Sequence, residues 1–280
     1  MKQRFNGMYF KQQGSGGALA LIPAQHIGRD GHASASIQIV REEGALCAWL
    51  GGDQFRREGD VITIGESRFS PQGVHLEVTT STVTAAGDLR FQGVTPPRSD
   101  VMGPLRFLPL LECRHSVYSL FHRVEGSLTV NGKTYLFDDG DGYIEGDSGR
   151  SFPKKYLWTQ CAFGGNSLML SVAEIPYCGL RFTGVLCLVL YKGREYRLAT
   201  YSGAKLVRNK DGLVEIRQGN WRLRARLFST GGLGLKAPVT GEMTRVIREQ
   251  LSCRARYAFE IGGKTRFDFS SECASFEYEY

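Results

Sequence analysis

Four short motifs occur twice in this chain of 280 residues, in the same order and about 140 residues apart. Gly7-Met-Tyr9-Phe-Lys11 and Leu19-Ala-Leu-Ile-Pro23 find counterparts in Lys155-Tyr156-Leu-Trp158 and Leu170-Ser-Val-Ala-Glu-Ile-Pro176. Leu89-Arg-Phe-Gln-Gly-Val-Thr-Pro96 is echoed by Leu233-Gly-Leu-Lys-Ala-Pro238, and Leu111-Glu-Cys113-Arg-His-Ser-Val-Tyr118 by Leu251-Ser-Cys253-Arg-Ala-Arg-Tyr257. A chain built this way folds as two related units, so a single large core is excluded first.

The segments between the motifs read as strands. Ser36–Val40, Val61–Gly65, Val74–Thr79, Tyr135–Phe137, Leu168–Ala173, Val185–Tyr191, Leu213–Arg217 and Arg222–Phe228 are rich in β-branched and aromatic residues. Gly51-Gly52-Asp53, Pro71-Gln-Gly73, Asn209-Lys-Asp211-Gly212 and Gly262-Gly263 punctuate them. Val130-Asn131-Gly132-Lys133 predicts a two-residue type I′ hairpin. The 35 glycines are nearly twice the average share of about 7%, and the nine prolines show no G-X-Y period, which excludes collagen. Only Gly241–Leu251, with Met243, Val246, Ile247 and Leu251 near one face, predicts a helix. Each half has room for eight to ten strands of about five to six residues. Closing them into a barrel removes exposed edges and leaves space for one small ligand. The expected fold is therefore all-β, two tandem antiparallel barrels with very little helix, divided as residues 1–139 and 140–280.

The longest apolar runs, such as Val185–Tyr191, fall short of the roughly 20 residues a spanning helix needs. Met1-Lys2-Gln3-Arg4 leads into no apolar stretch of the secretory kind, so a cytoplasmic location is expected. The seven cysteines contain no CxxC pair and the five histidines no metal-ligand spacing, which predicts free thiols and no metal site. The formal charge is +7, and Lys192 to Arg226 holds ten Lys/Arg against three Asp/Glu. Arg222, Arg224 and Arg226 alternate onto one strand face. That face is either simply solvated or turned to an anionic membrane surface; no nucleic-acid motif accompanies it.

The stretch from Asn131 to Cys161 joins the hairpin to an acidic, Gly-rich segment, Asp138-Asp-Gly-Asp-Gly-Tyr143-Ile-Glu145-Gly-Asp147-Ser-Gly149, then to Phe152-Pro153 and Tyr156-Leu-Trp158-Thr-Gln160-Cys161. It resembles the signature of the tocopherol cyclase family: a tyrosine and a glutamate, a Gly-aromatic-Pro turn, then a Trp/Gln strand. Tyr9-Phe-Lys11 resembles the family's amino-terminal motif and Leu235-Lys-Ala-Pro238 its carboxy-terminal one. The resemblance implies paired lipocalin-like barrels and, in plant and cyanobacterial members, closure of a prenylated quinol to a chromanol. That isomerase chemistry protonates an alkene to a tertiary cation, which the neighbouring phenol oxygen traps. It needs a carboxyl kept neutral by burial, aromatic faces for the cation and an apolar cavity, with no cofactor.

Carried onto this chain, the resemblance makes Glu145 the expected proton donor and Asp147 the second candidate. His115 or Tyr143 would accept the phenol proton, and Trp158, Tyr156, Phe152, Gln160 and Tyr9 would meet the ligand. The chain departs from the family pattern at Met8, Ser148 and Ala162, where Trp, Trp and Asn are usual. From the residues alone the acidic segment also reads as a solvated connecting loop, although it lacks EF-hand spacing. The same architecture equally suits a non-catalytic carrier or sensor of an apolar small molecule. The oligomeric state is not legible.

Overall fold

The computed structural model describes residues 3–109, 111–228, 233–239 and 241–280, without the side chains of Leu233 and Glu242. Among these residues there is no α-helix, only the 3₁₀ turns Gly52–Gln54, Gly103–Phe107 and Thr200–Ser202. Everything else regular is antiparallel strand, as expected.

The first sheet begins with β1 (Arg4–Gly14), β2 (Gly17–Ile27), β3 (Ala33–Arg41) and β4 (Gly44–Gly51). It continues through β5 (Phe55–Glu58), β6 (Val61–Ile64), β7 (Ser67–Ser70), β8 (Gly73–Thr79) and β9 (Thr84–Gln92). Two long strands, β10 (Cys113–Val130) and β11 (Lys133–Gly149), complete it. The strand order is β4-β3-β2-β1-β11-β10-β9-β8-β7-β6-β5, so the last strand returns to lie beside the first.

The second sheet starts with β12 (Tyr156–Phe163), β13 (Asn166–Tyr177), β14 (Leu180–Tyr191) and β15 (Arg194–Ala199). It adds β16 (Lys205–Lys210), β17 (Leu213–Gln218), β18 (Trp221–Leu227), β19 (Leu233–Val239), β20 (Glu242–Ile261) and β21 (Lys264–Glu279). Its order, β15-β14-β13-β12-β21-β20-β18-β17-β16 with β19 beside β20, repeats the winding of the first sheet. The repeated motifs coincide with this repeat: β1 with β12, β2 with β13, and the start of β10 with the middle of β20.

Three expectations need correction. The barrels are not hydrogen-bonded shut: no ladder joins β4 to β5, or β15 to β16, among the described pairs. The first sheet instead curls until Ile37 and Ile39 of β3 share one core with Ile62 and Ile64 of β6. The helix expected over Gly241–Leu251 is strand β20, because burial there has period two: Ile247, Glu249 and Leu251 are buried and Val246 and Arg248 exposed. The acidic segment after Phe137 is likewise no loop but the body of β11. The division expected at residues 139 and 140 thus falls inside that strand. The compact units are discontinuous: Met1–Pro97, Glu112–Phe152 and Gly234–Val246 form one, and Arg98–Leu111, Pro153–Leu233 and Ile247–Tyr280 the other.

Each curled sheet is filled by its own side chains. Phe10, Phe69, Phe91, Tyr135, Phe137 and Ile144 belong to the first core, and Leu157, Cys161, Val189, Tyr257, Phe259 and Phe276 to the second. Strands far from the candidate site show plain alternation; in β8, Val74, Leu76 and Val78 are buried and His75, Glu77 and Thr79 exposed. By contrast β1 and β12 are buried on both faces over most of their length. The Asn131–Gly132 turn has positive φ at both residues (48° and 82°) and pairs Val130 with Lys133, the expected type I′ hairpin.

Two buried histidines give the fold a defined acid sensitivity. His26 Nε2 lies 2.9 Å from Ser36 Oγ, and His122 Nδ1 lies 2.9 Å from Ser119 Oγ with its ring against Phe91. Burial lowers their pKa to about 4 and about 3, from 6.5. Both are neutral when folded but bind protons near pH 6.5 when unfolded, so stability is complete above that value and falls as pH drops toward 3. By the linkage relation His26 alone costs about 3 kcal/mol once pH reaches 4. Melting temperature should therefore decline steadily from pH 6.5 to 4, and less steeply in His26→Gln. A flat profile over that range would refute this origin.

Candidate functional site

Tyr135 and Phe137 of β11 face the first core, but the strand is irregular at Asp139 (φ 53°), and beyond it Ile144 faces that core while the odd-numbered residues 141–147 lie on the other face. That face nevertheless carries buried residues: Tyr143 is 1% and Glu145 6% exposed. The ladder sets Tyr9 of β1 opposite Glu145 and Lys11 opposite Tyr143. On the other side, β10 sets His115 opposite Asp147 and Val117 opposite Glu145. Tyr9, Lys11, Tyr143, Glu145, Asp147 and His115 therefore share one surface of three neighbouring strands.

Their side chains form a connected polar chain. Tyr143 donates its hydroxyl hydrogen to Glu145 Oε2 at 2.6 Å. His115 Nε2 lies 3.5 Å from the same oxygen, while its Nδ1 lies 3.1 Å from Asp147 Oδ1. Cys113 Sγ donates to that Asp147 oxygen at 3.5 Å. Burial, then the charge of Glu145, pushes the Tyr143 phenol well above its ordinary value. Burial and Asp147 do the same to the Cys113 thiol. Both groups thus keep their hydrogens at neutral pH and serve as donors.

His115, Glu145 and Asp147 also each offer a ligand atom, all within 4.8 Å of one another. The imidazole turns its two nitrogens toward different carboxylates, however, so only one could face an ion. The arrangement suits a shared proton better than chelation, since an imidazole flanked by two carboxylates can take a proton at one nitrogen and release one at the other. Lys11, 2% exposed, was not among the residues expected from the sequence. Its only signal is its place directly after Tyr9-Phe10 in the amino-terminal motif.

The remaining expected contacts are distributed over both units. Phe152 packs its ring edge-on to Phe5 at 5.3 Å within the first unit. Tyr156, Trp158 and Gln160 lie on β12 of the second unit, on the face opposite the buried Leu157 and Cys161, so they do not line the interior of that curled sheet. There Tyr156 donates to Glu277 Oε2 at 2.5 Å, a second tyrosine–glutamate pair, and the ladder sets Trp158 opposite Glu277. Elsewhere in the first unit a cleft of about 250 Å³ is lined by His26, Asp30, His32, Ser34, Trp49 and Met243, and none of the expected site residues borders it.

Arg222, Arg224 and Arg226 do share a face of β18, but two of them are neutralised across the ladder. Arg222 bonds Glu215 at 2.7 Å and Arg224 bonds Glu260 at 2.5 Å, while Arg226 lies over the Phe228 ring. That face is a cross-strand ion-pair network rather than an open cationic stripe.

A duplicated, all-β chain with two large curled antiparallel sheets is lipocalin-like in architecture, and here it carries a buried acid–imidazole cluster. The family model described as tocopherol cyclase-like matches residues 74–188, a stretch that includes every expected site residue except Tyr9. The chain is 27% identical over 157 residues to "Probable tocopherol cyclase, chloroplastic" from Oryza sativa subsp. japonica, over 52% of this chain. The matched region is 32% of that relative's length. Among solved structures, kievitone hydratase from Nectria haematococca superposes with a TM-score of 0.57 at 9% identity, covering 99% of this chain and 89% of that one. An AttH-like protein from Nitrosomonas europaea gives 0.54 at 8% identity, covering 100% and 93%. At such identities these two likenesses concern the fold alone.

Proposed function

We propose that this chain closes a ring on a prenylated aromatic alcohol by protonating an alkene and capturing the cation with the neighbouring phenol. The Tyr143–Glu145–His115–Asp147 chain is the observation that carries this reading, because it provides a buried acid and a return path for its proton. Glu145, in its acid form, transfers its proton to the less substituted alkene carbon and leaves a tertiary cation. The phenol oxygen forms the new C–O bond to that cation. His115 takes the hydrogen the phenol loses and passes it to Glu145, so the enzyme is regenerated and the substrate is only isomerised. Asp147 holds the imidazole and stabilises its charged form; Tyr143 holds the Glu145 carboxyl in place.

Tyr143 is not the base in this scheme, since its phenol is already protonated and donating. Incubation of the protein with a prenylated hydroquinone in D2O should yield a chromanol carrying one deuterium on the alkene-derived carbon. Recovery of unchanged quinol across tail lengths would overturn the activity, and retention of a tightly bound isoprenoid in that case would identify a carrier.

A further inference from the structure

The hairpin of β13 and β14 outgrows its sheet. β12 pairs with β13 only as far as Ala173, and β15 pairs with β14 only from Leu186 onward. Between those limits Ile175↔Phe182, Pro176↔Arg181 and Tyr177↔Leu180 ladder with each other and, among the described pairs, with no other strand. The tip turns through Cys178 and Gly179, both at positive φ (49° and 80°), the geometry of a tight type I′ turn.

This arm is two-faced. Ile175, Tyr177, Leu180 and Phe182 form two cross-strand pairs on one face, of which Leu180 is 76% exposed and the other three are half-buried. The opposite face carries Glu174, Pro176, Arg181 and Thr183. Arg181 lies 3.7 Å and Lys155 3.8 Å from Glu174, and both cations remain more than half exposed. Lys154, adjacent in sequence to Lys155, is exposed as well. Single exposed apolar residues need no explanation. Two adjacent apolar pairs on an arm that leaves the sheet, flanked by exposed cations, have the composition of segments that sit at a lipid–water interface.

We propose that the Ile175–Phe182 arm inserts its apolar face into the interface of an anionic lipid bilayer, with Arg181 and Lys155 against the headgroups. Charge complementarity selects that partner: two exposed cations share one carboxylate, leaving a net positive rim around the apolar tip. The inference is independent of the reaction proposed above. It also moves the membrane contact away from Arg222 and Arg224, whose charges are spent on Glu215 and Glu260.

Cys178 supplies the reporter. With the other exposed cysteine, Cys273, replaced by serine, Cys178 can carry a polarity-sensitive fluorophore. Vesicles of phosphatidylcholine with phosphatidylglycerol should shift its emission to the blue, and phosphatidylcholine alone should shift it less. In unlabelled protein Leu180→Asp should lower co-sedimentation with the anionic vesicles about tenfold. Lys155→Glu with Arg181→Glu should lower it by about the same factor on anionic vesicles only. Both variants alter exposed positions, and turnover of a detergent-dispersed quinol should not change, which separates this test from that of the reaction. An unshifted fluorophore, undiminished sedimentation of Leu180→Asp, or a lipid-free dimer abolished by Leu180→Asp would each overturn the proposal.

Discussion

Glu145→Gln should reduce turnover of a prenylated quinol by about a thousandfold, within the 10² to 10⁴ range for a positioned general acid. The substitution keeps the shape of the side chain and leaves an oxygen to accept the Tyr143 hydrogen bond, so substrate affinity and melting temperature should barely move. What it removes is the acidic hydrogen itself. Asp147→Asn should cost less, because Asp147 touches the site through His115 Nδ1 at 3.1 Å, and it should displace the pH profile. Stopped or quenched assays of kcat and KM for both variants distinguish the roles. Turnover of Glu145→Gln within tenfold of the parent protein would dismiss Glu145 as the proton donor.

The second large effect is on folding. Gly126→Ala should lower stability by about 3–5 kcal/mol, the combined scale of backbone strain and overpacking. Gly126 lies within β10 at φ 117°, opposite Leu89 of β9, and a Cβ there would press on the Asp88 carbonyl oxygen. Neither neighbour is a flexible side chain that can step aside. The expected fall in melting temperature is about 10 °C for a chain of this size. Gly164→Ala provides the contrast: φ is 52° but the space around it is nearly open, so only the backbone cost of about 1–2 kcal/mol remains. Equal melting curves for the two variants would show that the close contact with β9 is not what constrains Gly126.

The strand class, the Asn131–Gly132 hairpin and the duplication were all legible, because each rests on local chemistry or on repetition. The constellation of site residues was legible only through family resemblance, and the ladder explains why. Counting evenly back from the Val130↔Lys133 pair would set His115 opposite Ser148. That would place the imidazole on the sheet face opposite Glu145 and Asp147. The register shifts recorded between Val117 and Ser119, Ser119 and His122, and Val124 and Gly126 change the count by one and return His115 to their face. Nothing in the residue pattern announces those shifts. The acidic segment misleads for a related reason: its glycines resemble turn residues but serve close packing. Gly142 lies beneath the His122 ring and Gly146 against the Gly7 carbonyl oxygen, where any Cβ would collide. The apparent helix at Gly241–Leu251 arose because Met243, Val246, Ile247 and Leu251 satisfy both a helical stripe and an imperfect alternation, and the β-branched residues settle it as strand.

The two compact units each include a segment from the far half of the chain, residues 234–246 in the first and 98–111 in the second. During synthesis the first unit is therefore still short of its last segment when the second is already largely made. Its closing ladder, β1 with β11, also joins residues about 140 positions apart, the kind of distant contact that slows folding. Despite its duplicated ancestry, the chain cannot be cut into two self-sufficient halves: any single break strands a piece of one unit on the wrong fragment. The repeat in the sequence therefore does not mark two separable modules, because each unit is completed only by a segment from the other half of the chain.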